Sequence, residues 1–323
     1  ATGEVVTQAI SNKSELAKQH INRAYQNARE SGAMQERIDV SPLQRYLVDH
    51  QAEAINAPLL TSVETRLQQI ASGGAATIND LEEVRKMVGR LSGKDATNAL
   101  FGREVKGVID SMTEGKGGEQ YKLARSLRFR YGKEFEDHAV IDRLLSNKPG
   151  TTDRAVAYED VFSHSILKGS LDDVRLVRKT LQTSGEEGMQ AWRELQGATI
   201  QHIKDEITKN VQIDQAGNRV ISPARLDRLV TELDKDGKLD LIFGKQGAQQ
   251  IRDVNGIAQD AFTAPPGSVN SSNTASALVT VLDALAKKTT GVPFVGSATG
   301  FVSNEVRNAK SRQRVRDALG QEQ

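Results

Sequence analysis

The chain of 323 residues contains no cysteine and few aromatic residues. Without cysteine it cannot form a disulfide, a thiolate metal site or a cysteine nucleophile. Aromatic residues make up 4% of the sequence and hydrophobic residues 37%. Because large cores usually recruit Phe and Trp, these low values favour slender packing of helices built from Leu, Ile, Val and Ala.

An excess of one charge sign is also missing. The 43 Lys and Arg residues nearly balance the 42 Asp and Glu residues. A global basic field for nucleic acid is therefore absent, and only local patches could attract phosphates. The chain has no apolar run of about eighteen residues or more, so we expect no ordinary membrane-spanning helix.

The chain lacks the recognisable motifs of catalytic and cofactor sites. It has no phosphate-binding loop and no dinucleotide fingerprint, and its five histidines are scattered singly. Residues 234–240 (DKDGKLD) resemble a calcium loop, but Gly237 stands at position four instead of six, and Lys245 replaces the Glu at position twelve. We therefore predict a protein that is not an enzyme, with no catalytic residue, no metal and no cofactor.

Apolar residues recur at helical spacing along most of the chain, whereas two-residue alternation is nearly absent. Ser170 with Asp173 predicts one helix start, and Asn79 with Glu82 predicts another. One long helix is predicted over 119–145. The fold class that follows is all-α: an elongated multi-helix assembly of short amphipathic helices, with at most a minor β-hairpin near 211–221.

Breaks rich in Gly and Pro divide the chain into three predicted domains. An N-terminal helical domain covers 1–150, and a second helical domain covers 151–264. Residues 265–323 are predicted to form a linker followed by an apolar and basic helical tail.

Two clusters of residues are candidates for binding. The first combines cations with interleaved aromatic residues, which could contact nucleic acid by phosphate pairing and stacking. Its cations are Lys122, Arg125, Arg128, Arg130 and Lys133. The alternative is a solvated helix face.

The second candidate cluster lies in the C-terminal tail, where apolar and basic residues follow one another. This order suits insertion at a membrane surface or assembly through helices, and the alternative is docking of a terminal hairpin on the core. Its apolar members are Val292, Phe294, Val295, Phe301 and Val302. Its basic members are Arg307, Lys310, Arg312, Arg314 and Arg316.

Three segments carry a resemblance to a known family: 239–244 (LDLIFG), 247–253 (GAQQIRD) and 265–274 (PPGSVNSSNT). Residues 158–319 as a whole resemble internal virion or DNA-ejection proteins of tailed bacteriophages and prophages. The resemblance implies a structural virion protein that is ejected with the genome. It would oligomerise into a conduit that helps DNA cross the host envelope.

The resemblance also implies partners and a location. The partners would be further copies of the chain, other phage ejection or tail proteins, double-stranded DNA in transit and a host membrane surface. The protein would reside in the virion, and in the host periplasm or inner membrane after ejection.

Two other functions remain open. One is a non-catalytic helical scaffold or regulatory binding protein. The other is a degenerate peptidoglycan-cleaving enzyme, because Glu30-Ser31 and residues 32–35 (GAMQ) resemble pieces of lytic transglycosylase motifs. In that family a sizeable segment separates the two motifs, and here they are fused.

Overall fold

The structure of the protein is a computed structural model. It describes residues 1–71, 73–93, 95–209, 212–213, 219–220, 223–262 and 271–290.

Over these residues the all-α prediction is confirmed, with twelve α-helices and four very short strands. The helices are α1 (Thr2–Glu30), α2 (Ser41–Asp49), α3 (Pro58–Ile70), α4 (Ile78–Ser92), α5 (Ala96–Thr113), α6 (Gly118–Tyr131), α7 (Ala139–Leu145), α8 (Leu171–Gln182), α9 (Gly185–Lys209), α10 (Pro223–Asp234), α11 (Lys238–Phe262) and α12 (Ser271–Thr290). The strands are β1 (Arg37–Asp39), β2 (Ala75–Thr77), β3 (Gln212–Ile213) and β4 (Arg219–Val220). β3 and β4 pair antiparallel and confirm the small hairpin.

The chain forms two compact units. We refer to Glu15–Lys133 as the N-terminal unit. The C-terminal unit combines residues 1–14 with the described residues from Glu134 onward. The predicted domain boundaries at residues 150 and 264 remain a prediction. The compact units of the structure are divided at other positions, after Ser14 and after Lys133.

A single apolar cluster holds the N-terminal unit together. It takes buried side chains from each helix from α1 to α6, among them Leu43, Leu60, Val84, Ile109 and Tyr121. In α4 the buried positions Leu81, Val84 and Val88 recur at helical spacing, so one stripe of the helix faces the core.

A two-stranded ribbon joins distant parts of the N-terminal unit. β1 pairs antiparallel with β2, and Ile38 lies opposite Ala76 with both side chains buried. The sequence analysis did not predict this ribbon, because strands of three residues are too short to show an alternating pattern.

The start of α4 differs from its prediction. Thr77, the last residue of β2, is the N-cap and forms a capping box with Asp80. The predicted pair of Asn79 and Glu82 was therefore wrong by two residues. Glu82 points into the unit instead of back toward the helix start, and its side chain is buried.

The C-terminal unit is also built from helix pairs. Ser170 caps α8, and its hydroxyl accepts a hydrogen bond from the Asp173 backbone N–H at 3.1 Å, as predicted. Lys238 at the start of α11 donates to the Gly169 carbonyl oxygen at 2.7 Å. Arg252 of α11 forms two hydrogen bonds with Asp234 at the end of α10, at 2.9 and 2.7 Å.

α12 packs against α9 and α11. Its side chains Leu278, Leu282 and Leu285 are buried, and Asp283 pairs with Lys204 of α9 at 2.5 Å. The sequence analysis assigned this helix to a tail from residue 265. In the structure it belongs to the core of the C-terminal unit.

The predicted continuous helix over 119–145 was wrong. α6 ends at Tyr131 and passes into a π-helical turn over Gly132–Glu136, and α7 begins at Ala139. His138 has an extended backbone, and its carbonyl oxygen accepts hydrogen bonds from the N–H groups of Ile141 and Asp142. A new helix therefore starts there, and the old one does not continue.

Candidate nucleic-acid interface

The candidate interface lies on α6, whose start is fixed by two glycines. Gly117 has a φ of +76° and Gly118 a φ of +66°, a left-handed backbone that other residues rarely adopt. A Cβ atom on Gly117 would approach the Tyr121 ring at 2.7 Å and the Ile78 side chain at 2.9 Å. The Gly117 N–H donates to Glu36 Oε2 at 2.8 Å, which ties the turn to the rest of the N-terminal unit.

The inner face of α6 is anchored by a hydrogen bond to a buried carboxylate. Tyr121 and Ala124 are buried, and the Tyr121 hydroxyl donates to Glu82 Oε1 of α4 at 2.5 Å. The Tyr25 ring meets the Tyr121 ring edge-on, with 6.5 Å between centroids. These contacts fix which side of α6 faces solvent.

The outer face of α6 carries three cations around an exposed aromatic ring. Lys122, Phe129 and Lys133 are seven and four residues apart, a spacing that places them near one line along the helix and the turn that follows it. Arg130 follows Phe129 directly in the sequence. All four are exposed, and the Phe129 side chain is 66% exposed. The Lys133 ammonium lies 5.6 Å from the centroid of the Phe129 ring, within the range of a cation–π contact.

We refer to Lys122, Phe129, Arg130 and Lys133 as the α6 outer face. Leu123, 48% exposed, borders it. Glu119 is the one acid of α6. It lies in the first turn, where the helix dipole favours a negative charge.

Two of the five predicted nucleic-acid contacts are not part of this face. Arg125 is half-buried and donates to Asp110 Oδ1 at 2.8 Å. Arg128 is also half-buried, and its guanidinium carbon lies 5.5 Å from the centroid of the Tyr131 ring. The structure therefore separates Arg125 and Arg128 from Lys122, Arg130 and Lys133.

A buried ion network behind α6 was missed by the sequence analysis. Glu82 Oε1 accepts from Arg85 Nε at 3.1 Å, and Arg85 Nη1 lies 2.7 Å from Asp110 Oδ1, the oxygen that also pairs with Arg125. Glu82 and Arg85 are both buried. Removing Glu82 or Arg85 would leave the other charge unpaired in the interior, which is strongly destabilising.

The network offered only a weak signal in the sequence. Glu82 and Arg85 are three residues apart on α4, a spacing that is common for ion pairs on solvent-exposed helix faces. Apolar residues at helical spacing mark Leu81, Val84 and Val88 as buried, but nothing in that pattern marks the adjacent charged positions as buried.

The tail candidates lie outside the described residues. They are Val292, Phe294, Val295, Phe301, Val302, Arg307, Lys310, Arg312, Arg314 and Arg316. Among the helices that the structure describes, none has the length and apolar character to cross a membrane.

Glu30, the residue of the transglycosylase-like motif, lies at the end of α1. It is exposed and accepts a hydrogen bond from Gln26 at 2.7 Å. A glycosidase acid lies in a shaped pocket over the sugar, whereas Glu30 lies at an exposed helix end. In the described part of the chain, no three His, Asp or Glu side chains are grouped so that they could hold a metal ion.

Comparison with protein-family models, with curated proteins and with solved structures finds no match to this chain.

Proposed function

We propose that the protein is a structural component of a tailed-phage virion that is ejected with the genome and contacts the DNA backbone through the α6 outer face. The observation that carries the DNA contact is the grouping of Lys122, Arg130 and Lys133 on exposed positions of α6 and the following turn, where three cations face one acid of α6, Glu119. The ejection role rests on the resemblance of residues 158–319.

The spacing of the cations suits a phosphate chain. Lys122 and Arg130 are eight residues apart, which corresponds to about 12 Å along a helix at about 1.5 Å per residue. One DNA strand places a phosphate about every 3.4 Å along the duplex axis, so the face could span about three or four phosphates.

A small patch on a nearly neutral protein also suits a conduit. The formal net charge is +1, so attraction to phosphates would come from local groups and not from the whole surface. Few phosphate contacts give weak binding, which lets DNA slide past. In this proposal several copies assemble around the DNA together with other ejection or tail proteins, and the tail residues contact the host membrane.

The test is the affinity for duplex DNA across a range of salt concentrations, measured by fluorescence anisotropy. The test variant is K122Q/R130Q. The matched control is R29Q/R90Q, which removes two exposed arginines of the same unit that lie on α1 and α4. Each lost phosphate contact should flatten the plot of log affinity against log salt by about 0.9 and weaken binding several-fold at about 0.1 M salt.

A selective loss in K122Q/R130Q supports the proposal. Equal affinities for the two variants would contradict the DNA contact. A protein that binds no DNA at low salt and stays monomeric would instead favour the helical scaffold.

A further inference from the structure

We propose that the α6 outer face prefers unpaired nucleic-acid bases to intact duplex, with Phe129 as the stacking platform. This inference rests on the DNA contact proposed above and names the form of nucleic acid that the face takes. The juxtaposition that carries it is a large exposed ring with cations on both sides of it along the helix.

The exposure of Phe129 is the first observation. It is the most exposed aromatic side chain of the described residues, at 66%, although the same helix buries Tyr121 and Ala124. Burying a Phe side chain is favourable, so a ring left in water is available for a partner. A base offers a matching flat surface, and stacking accepts any base because each has a π-face.

The arrangement of charge is the second observation. Lys122 lies two turns before Phe129, Arg130 follows it directly, and Lys133 lies one turn beyond it. A strand that stacks a base on Phe129 therefore meets cations in both directions along its backbone. This combination of a stacking ring with a basic track is typical of proteins that bind single strands.

Intact duplex cannot use the ring in the same way. Its bases are stacked inside the helix, and inserting a ring between them requires unstacking a base step. Unpaired bases are already exposed, so they can stack without that cost. On a linear duplex, a frayed or overhanging end is the place that offers such bases.

A membrane surface fits this face less well. An interfacial helix buries a continuous apolar face in the lipid and keeps its cations on the other side. In α6 the apolar stripe is turned into the N-terminal unit, and the exposed Phe129 lies among cations instead of opposite them.

The test compares oligo(dT) with a blunt duplex of the same length by fluorescence anisotropy, using the full chain. The variants are F129A and F129L, which remove the π-face, and F129W, which retains it. The matched control is L123A, which truncates another exposed apolar side chain of α6. Circular dichroism of each variant checks that the helices are intact.

We expect the unaltered protein to bind oligo(dT) more tightly than the blunt duplex. F129A and F129L should weaken oligo(dT) binding by about fivefold to 160-fold, the range for one lost stacking contact, and should change duplex binding less than about twofold. F129W should restore the affinity for oligo(dT), and L123A should leave both affinities unchanged. A duplex with a dT overhang should behave like oligo(dT).

The other outcomes separate this inference from the proposed function. Equal binding of both probes that depends on Lys122 and Arg130 but not on Phe129 overturns the stacking role and leaves the DNA contact intact. Binding of neither probe overturns both. Binding to vesicles containing anionic lipid but not to oligo(dT), with loss in F129A, overturns the inference and assigns the face to membranes.

Discussion

The hydroxyl of Tyr121 on α6 donates a hydrogen bond of 2.5 Å to Glu82 Oε1 on α4. Glu82 also accepts from Arg85, so one buried carboxylate serves an aromatic hydroxyl and a guanidinium at once. The residues of the α6 outer face are exposed, whereas Tyr121 is buried. The hydrogen bond therefore sets the direction in which Phe129 and its neighbouring cations point.

Replacing Tyr121 by Phe should destabilise the N-terminal unit. The variant leaves a buried carboxylate short of one donor, and a hydrogen bond to a charged group is worth about 1.5–3 kcal/mol. Tyr25 also donates to Glu82 but at 3.4 Å, so Tyr25→Phe should cost less. Urea unfolding of both variants provides the comparison. If the two variants lose the same free energy of unfolding, or almost none, the short hydrogen bond does not hold α6 in place.

Alkaline pH should weaken the same unit. Burial, followed by the negative charge of Glu82, raises the pKa of Tyr121, and the same two causes raise the pKa of Tyr25. Because the folded pKa values exceed the unfolded value of about 10, the stabilisation is complete below about pH 10 and is lost as pH rises further. Urea midpoints measured from pH 8 upward should therefore fall above about pH 10, and the fall should be shallower in Y121F. A midpoint that is flat across this range would contradict the buried positions of both hydroxyls.

Two glycines of the C-terminal unit should not tolerate a methyl group. A Cβ atom would lie 1.9 Å from the Tyr158 carbonyl oxygen at Gly3, and 1.9 Å from the Leu181 carbonyl oxygen at Gly188. Gly3→Ala and Gly188→Ala should therefore lower the melting temperature. Gly107→Ala is the control, because no atom lies within 4 Å of its Cβ position. In a helix interior this change should stabilise by about 0.5–1 kcal/mol. If none of the three variants lowers the melting temperature, the Tyr158 and Leu181 carbonyl groups do not lie so close to Gly3 and Gly188.

Under the proposed function, the protein binds membranes and assembles through its tail, so removing residues 291–323 should abolish both without unfolding the C-terminal unit. This truncation leaves α12 intact, whereas a cut at 275 would remove side chains that pack against α9 and α11. The expected result is loss of liposome co-sedimentation and of oligomeric species in mass measurements, with an unchanged melting temperature. The same lipid binding in both forms would exclude the tail as the membrane contact.

The helices could be predicted from the sequence because apolar spacing and capping residues are local signals. Ser170 and Asp173 are three residues apart and cap the same helix, so reading the chain was sufficient to find them. The pairing of β1 with β2 could not be found in this way, because Ile38 and Ala76 lie far apart in sequence and each strand is short.

The candidate site was predicted only in part for the same reason. The density of cations in 122–133 was visible, but which of them face solvent depends on partners elsewhere in the chain. Arg125 pairs with Asp110 of α5, and no local pattern connects the two. Phe129 became prominent only when the structure placed Tyr121 inside the unit and Phe129 outside it.

The most direct test of the central claim is photo-crosslinking of the protein to DNA that carries a photoreactive thymine analogue, followed by mass spectrometry of the linked peptides. The account predicts that the main crosslinks fall on α6 and the following turn, with Phe129 among the linked residues, and that they diminish in K122Q/R130Q. Crosslinks that avoid residues 122–133, with equal yield in K122Q/R130Q, would contradict the assignment of the α6 outer face to DNA.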